Sequence, residues 1–147
     1  MNVLVLSAVL LLAPDVKPTP PPEAIAFSQF FDPAPSRRGL KPSARLLSLE
    51  GRRVRIVGFM AQMEMPPKGG FFLCSQPVFA AEGGGGTADL PPDAVLVVVS
   101  SASGKELELV RGPIEVTGVL EIGSREDEDG RVSRIRIILE KQLEANR

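Results

Sequence analysis

The chain has 147 residues with 17 basic and 18 acidic side chains, a formal net charge of −1. It is long enough for one ordinary domain, and its overall charge gives no pull toward nucleic acid. It holds no His, no Trp, no Tyr and a single Cys, which excludes His-based triads, Cys–His dyads, His-ligated metal sites, intrachain disulfides and cysteine clusters.

In chain order, the first feature is Val3 to Ala13, VLVLSAVLLLA, eleven residues with only Ser7 polar. A bilayer span needs about 20 apolar residues, so this run is too short to cross. It fits the apolar core of a secretory signal peptide. Residues 1–13 are accordingly expected to be a signal-like segment, the alternative being a buried first strand of a cytosolic domain. No Cys follows the run directly, which excludes a cysteine-linked lipid anchor there. Residues 14–45 read as a Pro-rich linker with a basic lead-in. Seven of the 14 prolines fall between Pro14 and Pro35, and proline fixes φ and removes a backbone donor. The stretch is therefore expected to be extended and partly polyproline. Within it Ala24 to Phe27 and the pair Phe30-Phe31 are apolar. They are expected to dock on the domain that follows or to form a short helical turn.

From Leu46 the periodicity is two, so residues 46–143 are assigned to an all-β domain. Arg53 to Gly58 alternates charged and apolar side chains, and Phe71 to Cys74 is a short apolar run after a Pro-Pro-Lys-Gly-Gly turn. Ala94 to Val99 is continuous and β-branched, as a strand buried on both faces would be. Ile114, Val116, Gly118, Leu120 and Ile122 share one parity, and so do Ile135, Ile137 and Leu139. Glu126 to Gly130 ends in Asp-Gly, a hairpin signal joining the last two long strands. Gly83 to Gly86 makes a loop with nothing to pack. Five strands with glycines at Gly58 and Gly118 suit a small five-stranded OB-like barrel, because glycine lets a strand bend at a barrel corner. An open β-sandwich is the other architecture compatible with the pattern. The expected core is Val54, Ile56, Leu73, Val97, Ile114, Val116, Leu120, Ile135 and Ile137.

Three segments carry a resemblance: Leu49 to Met60, which follows the pattern L-x-G-x-x-V-x-x-x-G-F-M, then Gly70 to Leu73, then Gly112 to Leu120. Together they resemble a bacterial family of exported proteins, defined as a domain of unknown function, with an OB-like β-barrel. The resemblance covers roughly residues 40 to 140. It implies an exported accessory domain, in some members alongside transport systems. Members of that family commonly carry Cys, and some of them His, in the loop after the second segment. Here that loop reads Cys74 to Glu82 and then four glycines, so the soft ligands are missing and no metal role follows.

Three groups of residues are candidates for chemistry. Cys74 is the one conceivable nucleophile, but Phe71, Phe72 and Leu73 precede it and no His exists to lower its pKa, so a buried, inert thiol is expected. The run Glu126 to Asp129 lacks the EF-hand spacing and is expected to be a solvated hairpin tip. Arg37, Arg38, Lys41, Arg45, Arg52, Arg53 and Arg55 lie within 19 residues against the single acid Glu50, a local charge of +6. The candidate binding face is Arg52, Arg53 and Arg55, with charge pairing to Glu115 or Glu121 across neighbouring strands as the competing use. None of the seven Phe lies on a strand with these arginines, so the stacking platform of a single-strand reader is not in the pattern. No cofactor, no metal, no nucleic-acid partner and no catalytic activity are expected. The function expected is that of a non-catalytic exported domain, periplasmic or envelope-associated, with a protein partner and no integral span once the leader is cleaved. A cytoplasmic OB-fold nucleic-acid-binding domain is the alternative.

Overall fold

The computed structural model describes residues 17–33, 39–81 and 89–139. The signal-like segment, Arg37, Arg38 and the Gly83 to Gly86 loop lie outside the described residues. The class is β-rich with little helix. Alternating apolar side chains give strands β1 (Glu23–Ala24), β2 (Arg53–Met60), β3 (Gln62–Met63), β4 (Gly70–Cys74), β5 (Phe79–Ala80), β6 (Val95–Val98), β7 (Pro113–Glu126) and β8 (Val132–Leu139). One short helix, α1 (Ala44–Ser48), and two single 3-10 turns complete the regular structure among the described residues.

Six of these strands form one sheet in the order β1–β2–β4–β6–β8–β7, with β2 also paired to β7. The pairing thus runs from β2 through β4, β6, β8 and β7 and returns to β2. Every link is antiparallel except β6–β8, where Val97 faces Ile137 in a parallel register. The longest ladder sets Arg53 opposite Val119 and Phe59 opposite Pro113. At Pro113 the missing N–H ends that ladder. Just before it, Gly112 takes φ +87°, and the chain leading into β7 turns away from β2.

The core lies on the inner face of this circuit. Val54, Ile56, Leu73, Val97, Val116, Leu120, Ile135 and Ile137 are all buried there, as their parity requires. Ile114, expected among them, is only partly buried and packs at the margin. β6 is not buried on both faces. Val95, Val97 and Val99 are buried while Leu96 and Val98 are only half-buried. The strand enclosed on both sides is β4, every residue of which is buried. Its outer side chains Phe72 and Cys74 join Ala61 in a second, smaller apolar cluster beneath Val78, Leu90 and Ala94.

In the segment assigned to a linker, the apolar residues dock on the domain that follows and form a short turn, the two expectations held for them. Ile25, Phe27 and Phe30 sit in the main core, together with Leu46 and Leu49 from α1 and the residue that follows its end. Burying those three side chains releases on the order of 5 kcal/mol of transfer free energy, which outweighs what proline withholds in hydrogen bonds. The chain reaches this position in steps. β1 adds to β2 in a parallel register, Glu23 opposite Val54. A 3-10 turn follows at Phe27–Gln29, its start closed by a hydrogen bond that the Ala26 amide donates to Gln29 Oε1 at 2.9 Å. The Ser43 amide donates to the Phe30 carbonyl at 2.8 Å. Ser43 also caps α1, its Oγ accepting from the Leu46 amide at 3.0 Å, an ordinary serine N-cap. The packed body therefore takes in residues that composition alone assigns to a spacer.

The β7–β8 hairpin carries a bulge between Ile122 and Arg125, where Gly123 takes φ +126°. Arg136, 4% exposed, holds this irregularity. Its Nη1 donates to the Gly123 carbonyl at 2.8 Å and to the Ser133 carbonyl at 3.1 Å, and its Nε donates to Glu121 at 3.2 Å. At the tip, Asp127 Oδ1 accepts from the amides of Asp129 and Arg131. That carboxylate closes the turn.

Candidate functional site

The three arginines singled out in the sequence stand at the start of β2, which, contrary to expectation, also carries a Phe, Phe59 near its far end, and each arginine already has a partner. Arg55 pairs with Glu115 across the β2–β7 ladder at 3.5 Å. Arg53 donates to the Pro20 carbonyl at 2.8 Å. Arg52 pairs with Glu23, whose other carboxylate oxygen takes Arg45 at 3.0 Å. Glu121, the other expected acid, goes to Arg125 and Arg136 instead. The pairs of Arg45, Arg52 and Arg55 are solvent-exposed and each is worth less than about 1 kcal/mol. Their effect is positional: Glu23 draws β1 against β2 and lowers the positive field of this face.

Cys74 is fully buried. Burial, reinforced by the nearby Asp93 carboxylate, pushes its thiol from about 9.0 up to about 11. Burial also raises the Asp93 carboxyl above its usual range. A thiol held protonated at neutral pH is a poor nucleophile. Two outcomes follow. Native protein should label with a thiol reagent at pH 8 far more slowly than protein in urea. Stability should also fall as pH rises from about 9 to about 11, because the folded state keeps a proton that the unfolded chain releases. Fast native labelling, or urea melts unchanged across that interval, would count against the buried thiol. Among the described residues no group of three or more His, Cys, Asp or Glu is placed to hold a metal ion.

A groove of about 410 Å³ lies where the β2–β7 ladder ends. Phe59, Met60, Pro77 and Val78 supply apolar lining, and Leu109 to Gly112 form one wall. Gln62 of β3 and Phe79 of β5 complete the lining. β5 pairs in parallel with β3, Gln62 opposite Phe79. The Gln62 amide donates to the Val78 carbonyl at 2.9 Å, and the Glu64 amide donates to the Ala80 carbonyl. In a parallel ladder the residue between two bonded neighbours points its N–H and C=O the other way. Phe79 therefore turns its backbone groups away from β3.

The Leu109–Gly112 wall pairs with no strand among the described residues. Between Glu106 and Gly112 the one backbone group bonded among the described residues is the Val110 amide, which donates to Met60 Sδ at 3.3 Å. At the mouth, Phe79 is 57% exposed. Arg111 is exposed and makes neither an ion pair nor a hydrogen bond among the described residues. The groove thus combines apolar lining, a wall of main chain with one bonded group among the described residues and, at that wall, an Arg111 without a partner among them. Sequence reading missed it. Its one available signal was the alternation Glu106-Leu107-Glu108-Leu109, a strand pattern to which the fold supplies no partner strand.

No family model and no curated protein matches the chain. Among solved structures, a DUF3299 family protein is similar to it. That protein comes from Pseudomonas aeruginosa and is known from a crystal structure. The two share 15% identity over 83% of this chain and 95% of that one, with a TM-score of 0.49. The neighbour's family is, by its designation, a domain of unknown function. No helix among the described residues is long and apolar enough to cross a membrane.

Proposed function

We propose that this chain is a non-catalytic accessory domain of the OB type, exported to the periplasm or envelope, that acts by contact with a protein through the groove between β5 and Leu109–Gly112. The observation that carries the reading is an apolar groove bounded by the exposed Phe79 ring and by Leu109–Gly112, a stretch with one bonded backbone group among the described residues. Buried or interfacial backbone groups need partners, and another polypeptide supplies both the donors and the acceptors. The OB assignment is supported by the strand circuit: five long strands paired in a ring, with the third and fifth of them parallel. Export is supported by the apolar run Val3 to Ala13. A non-catalytic role is supported by the raised Cys74 thiol and the absence of His from the sequence. The basic face is a weaker candidate, because its arginines are engaged within the chain.

Photo-crosslinking in cells that produce the protein natively tests this reading. A benzoylphenylalanine in place of Phe79 should trap a discrete protein adduct, whereas the same group in place of Val57, exposed on β2, should not. N-terminal sequencing of the crosslinked chain should begin after Ala13. Equal adduct patterns from the two positions would contradict the groove assignment, and a chain starting at Met1 would contradict export by cleavage.

A further inference from the structure

We propose that the partner enters this groove with side chains, seating a large apolar side chain against Phe59, Met60 and Val78 and placing a carboxylate beside it on Arg111. The inference rests on the groove being the contact site and adds the chemistry of the surface it receives. The lining decides the charge. Among the described residues around the groove, seven are apolar, Gln62 is a neutral amide and the one charge is that of Arg111. No acidic residue lines it.

Arg111 differs in this from the arginines at the start of β2. Arg52 and Arg55 have Glu23 and Glu115, whereas Arg111 makes neither an ion pair nor a hydrogen bond among the described residues. While the groove is open, water solvates the guanidinium. A partner that covers Phe59, Met60 and Val78 also takes water from Arg111, and a cation desolvated without an acceptor is costly. The acceptor has to come from the partner. A lone guanidinium matches one carboxylate through paired N–H donors, whereas phosphate recognition draws on clusters of arginines. The volume sets the size of the apolar anchor. A cavity of about 150 Å³ holds a benzene ring. A groove of about 410 Å³ therefore has room for roughly two side chains of aromatic size. Seated apolar anchors of this kind carry most of the binding energy of a protein contact.

The crosslink at position 79, repeated in cells with second substitutions, tests the anchor. Arg111→Glu should lower the yield of the protein adduct about tenfold at equal protein level. Arg134→Glu, at an exposed cation outside this groove, should leave it unchanged. Gln62→Trp adds a bulky side chain to the lining at an exposed position and should lower the yield as far, by occupying the space of the anchor. The partner peptide in the adduct, sequenced by mass spectrometry, should contain Asp or Glu beside a large apolar residue. Replacing that acid by Lys in the partner should restore the adduct with Arg111→Glu. Positions 62 and 111 are exposed, so thermal midpoints equal to that of the parent protein show that both variants fold.

A protein adduct indifferent to Arg111→Glu, or lowered equally by Arg134→Glu, would overturn the proposal. So would a partner peptide without an acid, or one whose change to Lys restores nothing. An adduct to lipid or to a second copy of this chain would overturn it too. If the Phe79 crosslink forms and the Arg111 and Gln62 variants leave it unchanged, the anchor assignment is wrong while the contact site stands. If position 79 traps nothing, the groove is not the contact site and the anchor falls with it.

Discussion

Gly118→Val should unfold the protein or cost about 4 kcal/mol, one of the largest losses available to a single substitution here. Gly118 lies on the inner face of β7 between Val116 and Leu120, both buried. A Cβ built there would meet the Ile138 carbonyl, with its carbon at 2.8 Å, and Ile137 Cγ2 at 2.7 Å. The obstacle is backbone, and that backbone belongs to β8, which is fixed on its other side by the parallel ladder to β6. The strand cannot retreat without breaking one ladder or the other. Gly118 is not among the positive-φ residues, so the cost is close approach and not backbone strain. Gly118→Ala should already lose about 2 kcal/mol. Thr117→Val, on the other face of the same strand, should lose less than about 1 kcal/mol. Urea melts with matched slopes decide the matter. Equal losses at positions 117 and 118 would show that β8 does not approach β7 as described.

Phe30→Ala should cost about 3–5 kcal/mol, the range for deleting a buried aromatic side chain. The ring is 1% exposed. It lies 5.2 Å from the Phe27 ring and 6.5 Å from that of Phe31, the latter edge-on. Such pairs add to simple burial. The substitution separates two accounts of the Pro-rich segment. In a linker that merely touches the domain, removal of one ring changes the midpoint of urea unfolding very little. In a segment that completes the core, the whole domain loses stability in a single transition. Phe79→Ala is the control, since its exposed ring should cost less than about 0.5 kcal/mol.

The contrast between Phe30 and Phe79 also shows what the sequence could convey. Strands with regular alternation were legible: β2, β7 and β8 fall where parity places them, and eight of the nine expected core residues are buried. Ile114 escapes because it stands one residue from the ladder's end at Pro113, a tertiary circumstance that parity does not contain. The continuous apolar runs at β4 and β6 look alike in sequence, yet only β4 is enclosed on both faces. What distinguishes them is the second cluster laid over β4 from distant loops. In the Pro-rich segment, local propensity argues for an extended spacer. Burial of Ile25, Phe27 and Phe30 overrides it, and that depends on a surface built by residues 46 to 137.

The candidate site was illegible for a related reason. Arginines announce charge, and Arg52, Arg53 and Arg55 cluster at the start of β2. Their acids come from Glu23 and Glu115, about 30 and 60 residues away in sequence. The groove is made of what the fold leaves unpaired, and an unpaired backbone edge has no residue type of its own. Arg111 and Phe79 are unremarkable in sequence. They acquire meaning from Gly112, whose positive φ turns the chain away from β2 before Pro113.

Amide hydrogen exchange of the free, full-length protein tests the central claim, that the main chain lining the groove at Phe79 and Leu109–Gly112 is left open by the fold. The amides of Phe79, Leu109 and Arg111 should exchange about a thousandfold faster than those of Val97 and Val116, which lie within the ladders. Protection of Phe79, Leu109 and Arg111 at the level of Val97 and Val116 would mean that these edges are already paired, and the groove would have no backbone to offer a partner.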